Sequence, residues 1–171
     1  MKHFLIVGLV ATLGCGHAPP KEVGASNGQL TELARPISFQ FDSLDSRPVS
    51  SQAFLGKPTV IAFITTWDLL SQAQVDFLVA MARHDEKETN YVLVAVQDAK
   101  EHELVEQYAR TLGVTFPIAM IADARVAASS FGEIDRVPEV VVLDREGRSA
   151  FRRTGLAKSD ELRAVLSRLK R

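Results

Sequence analysis

The apolar and polar positions of residues 58–78 predict a buried strand that runs directly into a helix. Thr59–Ile64 is almost wholly apolar and rich in β-branched side chains, a pattern typical of a strand covered on both faces. After a polar turn at residues 65–68, apolar residues recur at helical spacing over residues 69–83, and Asp68 is well placed to cap that helix. Because α/β proteins often place their chemistry at such turns, this is the first candidate site.

The remaining apolar pattern predicts further strands and helices along the chain. Residues 91–96 and Glu139–Leu143 are apolar enough for buried strands, and residues 37–41 alternate apolar and polar side chains, as a half-buried strand does. The other predicted elements are a short returning strand at residues 48–51, an apolar segment at 116–121, a strand at 149–153 after a hairpin turn, and helices at 101–112, 124–131 and 159–170. This order predicts an α/β fold with a central mixed sheet and helices on both faces.

Composition and charge are those of one soluble globular domain. The chain has 171 residues, of which 46% are hydrophobic and 24% are charged. The formal net charge is −1, which gives no electrostatic sign of nucleic-acid binding, so no nucleic-acid partner is expected. Basic residues gather in and after the last predicted helix, where they complement the negative end of the helix dipole: Arg163, Arg168, Lys170 and Arg171.

Residues 1–14 have the pattern of a signal peptide. A short basic start precedes an apolar run at residues 4–13, which ends on small residues just before Cys15. This arrangement resembles a bacterial lipobox, although Thr12 departs from the aliphatic residue that lipoboxes prefer. An uncleaved leader, or an ordinary secretory signal with a chance cysteine, is the alternative. We expect lipid attachment at Cys15 to anchor the protein to a bacterial membrane in the cell envelope, with the domain facing the periplasm or the exterior.

Residues 15–34 separate the expected anchor from the folded part of the chain. They contain Pro, Gly, Ser and Asn in high proportion and show no periodicity, as a flexible tether does. We therefore expect one folded domain at residues 35–171.

Cysteine usage limits the chemistry of the protein. Cys15 is the single cysteine in the sequence. An internal disulfide and a dithiol redox cycle each need two thiols, so these 171 residues can support neither. If Cys15 carries lipid, it is not free to act as a nucleophile either.

Several separated features resemble the thioredoxin fold. They are the strand, turn and helix around Trp67, the Val137-Pro138 pair before a strand, and a hairpin with an Asp-x-x-Gly turn. More narrowly, an extra N-terminal β-hairpin before residues 56–58 and a β/α insertion at residues 116–131 resemble the periplasmic TlpA/ResA group of thiol-disulfide oxidoreductases, which is related to the AhpC/TSA redoxins. The resemblance covers residues 37–169 and implies a three-layer α/β/α sandwich.

The motif of that group is degenerate in this chain. Its members carry Trp-Cys-x-Pro-Cys at the turn, followed by a basic residue, a buried Glu and a helix Pro. Trp67 is retained, but Asp68 and Ser71 stand at the two cysteine positions. The neutral amide of Gln74 stands where the resemblance places the carboxylate that assists proton transfer, and the remaining replaced positions are Leu70, Gln72 and Asp76. The resemblance therefore implies a scaffold whose redox residues have been replaced as a set, with no catalytic residue left.

Two of the replaced positions have alternative interpretations. Asp68 is a helix N-cap, or in addition an anionic contact for a binding partner. Ser71 either faces solvent or bonds the backbone, and no histidine lies beside it in the sequence to serve as its base.

Val137-Pro138 resembles the cis-proline loop that faces the active-site turn in thioredoxin folds. If this bond is cis, the resemblance implies that the Val137 backbone can hydrogen-bond an extended peptide by strand addition. The alternative is a proline that only marks the entry to a strand. We expect Trp67 to be partly exposed, where its ring can contact a peptide.

The sequence predicts no metal or cofactor site. His84 and His102 lie in different helical segments, and no second ligand accompanies either one at metal-binding spacing. A Gly-rich phosphate loop, a Gly-x-Ser-x-Gly elbow and an Asp-rich calcium loop are all missing from the sequence.

Three hypotheses about function follow from the sequence. The first is a redox-inactive module that binds a peptide or protein partner in a groove formed by Trp67, Asp68, Ser71 and the Val137-Pro138 loop. The second is an enzyme of another kind that uses Asp68 with a hydroxyl group. The third is a structural lipoprotein in which the groove has no role. A thiol-disulfide oxidoreductase or antioxidant assignment would rest on the fold alone.

Overall fold

The computed structural model describes residues 35–171, which form seven strands and four α-helices. The strands are β1 (Gln40–Ser43), β2 (Val49–Ser50), β3 (Thr59–Ile64), β4 (Asn90–Val96), β5 (Ile118–Ile121), β6 (Glu139–Leu143) and β7 (Ser149–Thr154). The helices are α1 (Leu69–Asp85), α2 (His102–Leu112), α3 (Arg125–Phe131) and α4 (Ser159–Leu169), and short 3-10 helices span Ser51–Phe54 and Ala99–Glu101.

All the strands of the described chain belong to one mixed sheet with the order β2-β1-β5-β4-β3-β6-β7. The central strands β5, β4 and β3 are parallel, whereas β6 runs antiparallel to β3 and β7 antiparallel to β6. The predicted N-terminal hairpin is confirmed, because β1 pairs antiparallel with β2 and joins the edge of β5. Strands β3 and β6 are buried along their whole length, as their largely apolar sequences predict, and their first residues, Thr59 and Glu139, are buried polar exceptions.

The sheet separates two apolar cores. One core packs α1, α2 and α4 against one face, with Leu78 and Leu162 fully buried. The other lies under α3 and the N-terminal segment, and its aromatic cluster includes Phe39, Phe63 and Phe131. Helices on both faces give the predicted three-layer α/β/α sandwich.

Several element ends differ from the prediction. The first strand begins at Gln40 rather than at residue 37, because Ile37 donates its amide to Gly147 O at 2.8 Å in the β6–β7 turn and is held outside the sheet. The returning strand is shortened to Val49–Ser50, since Ser50 caps the 3-10 helix that follows. Helix α1 runs two residues beyond its predicted end.

The chain enters the domain near the start of β3, at the end of the strands that lies opposite the candidate site. Leu143, just before the β6–β7 turn, pairs with Thr59 at the start of β3, and Ile37 bonds the same turn through Gly147. The turn at residues 65–68 follows the other end of β3, about 20 Å away for a strand of six residues. Within residues 35–171, no helix is long and apolar enough to cross a membrane.

Candidate functional site

The turn after β3 is held together by the cap of α1. Asp68 has an extended backbone, and its Oδ2 accepts the Ser71 amide at 2.7 Å, which confirms the predicted N-cap. The Asp68 side chain is half-buried. Its carboxylate accepts a hydrogen bond from a backbone amide that has no partner inside the helix, at the positive end of the helix dipole. This arrangement is that of a capping residue.

Ser71 supports the turn from inside. It is fully buried, and its Oγ accepts the amide of Thr65 at 3.3 Å. Of the two alternatives that the sequence left open, the structure shows the bond to the backbone. Ser71 therefore fixes the shape of the turn and presents no surface to a partner.

Three large apolar side chains lie exposed around the cap. The exposed fractions are 65% for Trp67, 80% for Leu69 and 52% for Leu70. We call Trp67, Leu69 and Leu70 the α1 patch. The expected exposure of Trp67 is confirmed, whereas the exposure of both leucines is apparent only once the direction of α1 is known. A group of large apolar side chains within four residues is an unusual surface feature.

Gln74 lies on α1 in the interior of the domain. It is fully buried, its Oε1 accepts the Ala157 amide at 2.7 Å, and its Nε2 donates to the Ala157 carbonyl at 3.2 Å. A neutral amide satisfies both backbone groups and joins α1 to the loop before α4. The position is therefore a structural link that carries no charge.

The Val137-Pro138 bond is cis and lies beside the candidate turn. Because Glu139 pairs antiparallel with Phe63, the residues before β6 run next to those that follow β3. Pro138 is buried and Val137 is half-buried. Within the described residues, no hydrogen bond occupies the backbone amide or carbonyl of Val137. The loop therefore offers one free backbone amide and one free carbonyl next to the turn.

Sequence reasoning missed a buried ion pair beneath this loop. Glu139 is 1% exposed, is in ion-pair contact with Arg152, and accepts a hydrogen bond from Thr154 Oγ1 at 3.2 Å. Burial raises the pKa of Glu139, and the Arg152 guanidinium opposes that rise. Arg152 also donates to the carbonyls of Phe131 and Glu133, so it ties the segment before the cis proline to β7.

Gln97 connects the turn to the end of the neighbouring strand β4. Its side chain is 2% exposed, its Oε1 accepts the Thr66 amide at 2.8 Å, and its Nε2 donates to Glu101 at 3.1 Å. The sequence gives one weak signal for this role, a polar residue directly after a buried apolar strand. The contact itself depends on the parallel pairing of β3 and β4.

The nearest phenol is Tyr108 on α2. Burial, aided by the carboxylates of Asp76 and Asp68, raises its pKa to about 12, so the hydroxyl is neutral at physiological pH. The Tyr108 hydroxyl is buried without a hydrogen-bond partner in the described structure. Asp68 and Tyr108 therefore place a carboxylate and a neutral hydroxyl on the α2 side of the turn.

The described residues contain no group of three or more His, Cys, Asp or Glu residues that could hold a metal ion. His102 lies on α2 with its Nδ1 3.9 Å from Glu106 Oε1, and His84 lies in the last turn of α1. The predicted signal peptide, the tether and the lipid-attachment residue Cys15 lie outside the described part of the chain.

Comparison by sequence gives no relatives: no family model matches the chain, and no curated protein matches it.

Comparison by structure gives many similar folds. A DsbF homologue from Corynebacterium diphtheriae superposes with a TM-score of 0.76 at 19% identity, over 90% of this chain and 98% of that one. A thiol:disulfide interchange protein of the thioredoxin family from Chlorobium tepidum gives 0.70 at 20% identity, over 82% and 99%. A secreted thiol-disulfide isomerase from Corynebacterium glutamicum gives 0.72 at 15% identity, over 91% and 96%.

These similarities extend over almost the full length of each solved structure. The chain therefore has the thioredoxin-like fold that its sequence predicts, and its resemblance to the thiol-disulfide oxidoreductases is confirmed at the level of fold. Identities of 14% to 24% among the similar structures establish the fold and leave the activity to be argued from the site.

Proposed function

We propose that this protein is a redox-inactive thioredoxin-like domain, anchored to a membrane, that binds an extended segment of a protein partner at the α1 patch and the Val137-Pro138 loop. The observation that carries the proposal is the α1 patch, where exposed apolar residues surround a position that is a cysteine in the TlpA/ResA group. Exposed apolar side chains at the helix start lie beside a loop whose Val137 backbone groups are free in the described structure, and this combination suits the binding of an extended segment.

The proposed lack of redox activity follows from the atoms present at the turn. Asp68 and Ser71 carry oxygen where a dithiol cycle requires sulfur, and both oxygens are already engaged with backbone amides. Gln74 cannot accept and release a proton as a carboxylate does. The same engagement of Asp68 argues against a non-thiol reaction, because its carboxylate is used as a cap.

Apolar exposure at the turn supports a protein partner. Complete burial of one leucine side chain stabilises a contact by about 1.5–3 kcal/mol, and aromatic anchors such as tryptophan dominate many interfaces. Leu69 and Leu70 are 80% and 52% exposed, so most of this gain is still available to a ligand. A patch of this kind supports binding of a segment with apolar side chains of its own.

The free backbone of Val137 supports an extended conformation for that segment. Its amide and carbonyl can pair with one residue of a peptide that runs alongside the loop. The Arg152 bonds to the preceding residues hold this loop in place before the ligand arrives, which reduces the entropy lost on binding.

The proposed location is the cell envelope, with lipid at Cys15. The similar structures include a secreted thiol-disulfide isomerase from Corynebacterium glutamicum and a secreted disulfide oxidoreductase from Mycobacterium tuberculosis, which supports export of this chain as well. The described domain begins at the end of the strands opposite the α1 patch. A tether that leads from that end to a membrane would leave the patch facing away from the lipid. This geometry favours a protein over the bilayer as the occupant.

The proposal is tested by selecting extended peptides from a random library on the full-length protein and then measuring their affinities for variants. Leu70→Ala should weaken binding roughly five- to tenfold, because it removes apolar contact area. Leu104→Ala is the matched control: Leu104 on α2 is 50% exposed, almost the same as Leu70, and lies outside the patch. Trp67 fluorescence reports on the same site in each titration.

Equal losses for Leu70→Ala and Leu104→Ala would show that the selected peptides bind elsewhere. A selection that yields no peptide able to change Trp67 fluorescence would contradict a binding role for the groove and would favour the purely structural lipoprotein.

A further inference from the structure

A second cleft opens next to the candidate turn, on the face of the sheet that carries α2. Its volume is about 250 Å³, less than the roughly 300–1,000 Å³ of a typical small-molecule site, and it is sufficient for one long side chain. Its apolar wall is formed by Leu44, Met120, Ala99 and Ala122. The polar side chains that line it are Asp42 and Ser43 at the end of β1, Gln97 directly after β4, and His102 at the start of α2.

Two carboxylates at this cleft have no cationic partner in the described structure. Asp42 lines the cleft, is exposed, and its side chain forms no ion pair and no hydrogen bond there. Glu101 adjoins the cleft, where its Oε2 accepts a hydrogen bond from Gln97. His102 also lines it, and the imidazole points one ring nitrogen towards Glu106 at 3.9 Å. Neither carboxylate is therefore engaged in an ion pair within residues 35–171.

We propose that this cleft binds the side chain of an arginine or lysine from the partner segment. The aliphatic stem of such a side chain would pack against Leu44 and Met120, and its cationic end would donate hydrogen bonds to the Asp42 carboxylate. Apolar walls with an acid at the rim match the two parts of a long basic side chain better than they match a purely apolar or an acidic one.

The cleft and the α1 patch can be occupied by one ligand. Gln97 forms part of the cleft, and its Oε1 holds the amide of Thr66, the residue directly before Trp67. A segment that contacts Trp67 therefore passes within reach of the cleft. This inference rests on the proposed function and deepens it, because it makes a basic residue next to an apolar one the preferred feature of the ligand.

The test is a titration of the full-length, isotope-labelled protein with N-acetyl-arginine amide, followed by NMR. The Gln97 side-chain amide and the backbone amides of Ala99 and Ala122 report on the cleft. N-acetyl-citrulline amide is the control ligand, since it has nearly the same shape as the arginine compound and no charge. Arginine amide should shift these signals, and citrulline amide should shift them much less.

Asp42→Asn should weaken arginine-amide binding roughly two- to fivefold, the range expected when one exposed ion pair is removed. Asp160→Asn, which removes an exposed acid on α4, should leave it unchanged. Equal shifts with the arginine and citrulline compounds, or an unchanged affinity in Asp42→Asn, would overturn the proposal. Because the compounds do not require the α1 patch, these results are independent of the Trp67 titrations that test the proposed function.

Discussion

At the scale of single residues, Gln74 shows how a buried neutral amide links two parts of the structure. Its amide gives one hydrogen bond to the Ala157 carbonyl and takes one from the Ala157 amide, in a fully buried position. A carboxylate can accept the second of these bonds but cannot donate the first unless it is protonated. The glutamine therefore stabilises the packing of α1 against the loop before α4 without burying a charge.

Gln74→Glu should destabilise the protein by about 1–3 kcal/mol at neutral pH, because an ionised side chain would face the Ala157 carbonyl in a buried site. Burial would raise the pKa of the new glutamate in the folded state. The loss should therefore be small below the ordinary glutamate pKa of about 4.3 and grow as the pH rises through the raised value. Chemical denaturation at neutral pH and at a pH below about 4.3 measures this loss of stability. The exposed variant Gln72→Glu is the control. A loss that does not change with pH would contradict this account of Gln74.

The buried pair of Glu139 and Arg152 predicts a second pH-dependent effect. Arg152→Gln should cost about 2–3 kcal/mol at neutral pH, since it leaves the Glu139 charge buried without its cation, and Arg152 is itself one third exposed. The pKa of Glu139 is already raised, so protonation on acidification should remove most of that loss. Denaturation curves of Arg152→Gln and of the surface variant Arg125→Gln test this. Similar small losses in both would mean that the buried pair does not hold the loop.

At the scale of elements, the start of α1 is predicted to the residue, because it depends on local chemistry. Asp68 and the apolar spacing after it define the first turn without information from elsewhere. The far end lies at Asp85, beyond the predicted end, since Asp85 accepts hydrogen bonds from the Tyr91 hydroxyl at 2.6 Å and from Lys170 at 3.1 Å. Those partners lie in other elements, so the sequence of the helix alone could not indicate them.

Asp68→Ala should lower the free energy of unfolding by about 1 kcal/mol, the usual effect of losing an N-cap. Asp68→Ser, which can still accept the Ser71 amide, should retain most of that stability. The exposed helix residue Asp76 serves as the control through Asp76→Ala. If Asp68→Ala were as stable as the unchanged protein, the cap would not be what positions this turn.

How much of the site could be predicted depends on whether each contact is local in the sequence or is formed by strand pairing. The N-cap at Asp68 and the exposure of Trp67 follow from local sequence. The contacts of Gln97 with Thr66 and of Glu139 with Arg152 depend on strand pairing, which places residues 31 and 13 positions apart side by side. Without the register of β3, β4, β6 and β7, each of these side chains is just one polar residue near the end of an apolar strand.

At the scale of the whole molecule, the thioredoxin-like fold is complete although its redox residues are replaced. The sheet, the cis proline and the helix start remain in the arrangement that brings residues 68 and 71 together. Ser71 N lies 2.7 Å from the Asp68 carboxylate, so both side chains lie in the first turn of one helix. The scaffold should still support thiol chemistry if sulfur is restored.

The variant Asp68→Cys with Ser71→Cys, made in a Cys15→Ser background, should form an intramolecular disulfide, because the helix N-terminus favours a thiolate there. Alkylation of free thiols followed by mass spectrometry measures the oxidised fraction. A double-cysteine variant that folds but stays reduced under oxidising conditions would show that the turn has lost the geometry of the redox site.

The rate of insulin disulfide reduction by the full-length protein in the presence of a dithiol reductant tests directly whether the chain has thiol-disulfide activity. The rate should equal that with the reductant alone, and the double-cysteine variant should give a higher rate in the same assay. Catalysed reduction by the unaltered chain would contradict the claim that this thioredoxin-like domain functions without thiol chemistry.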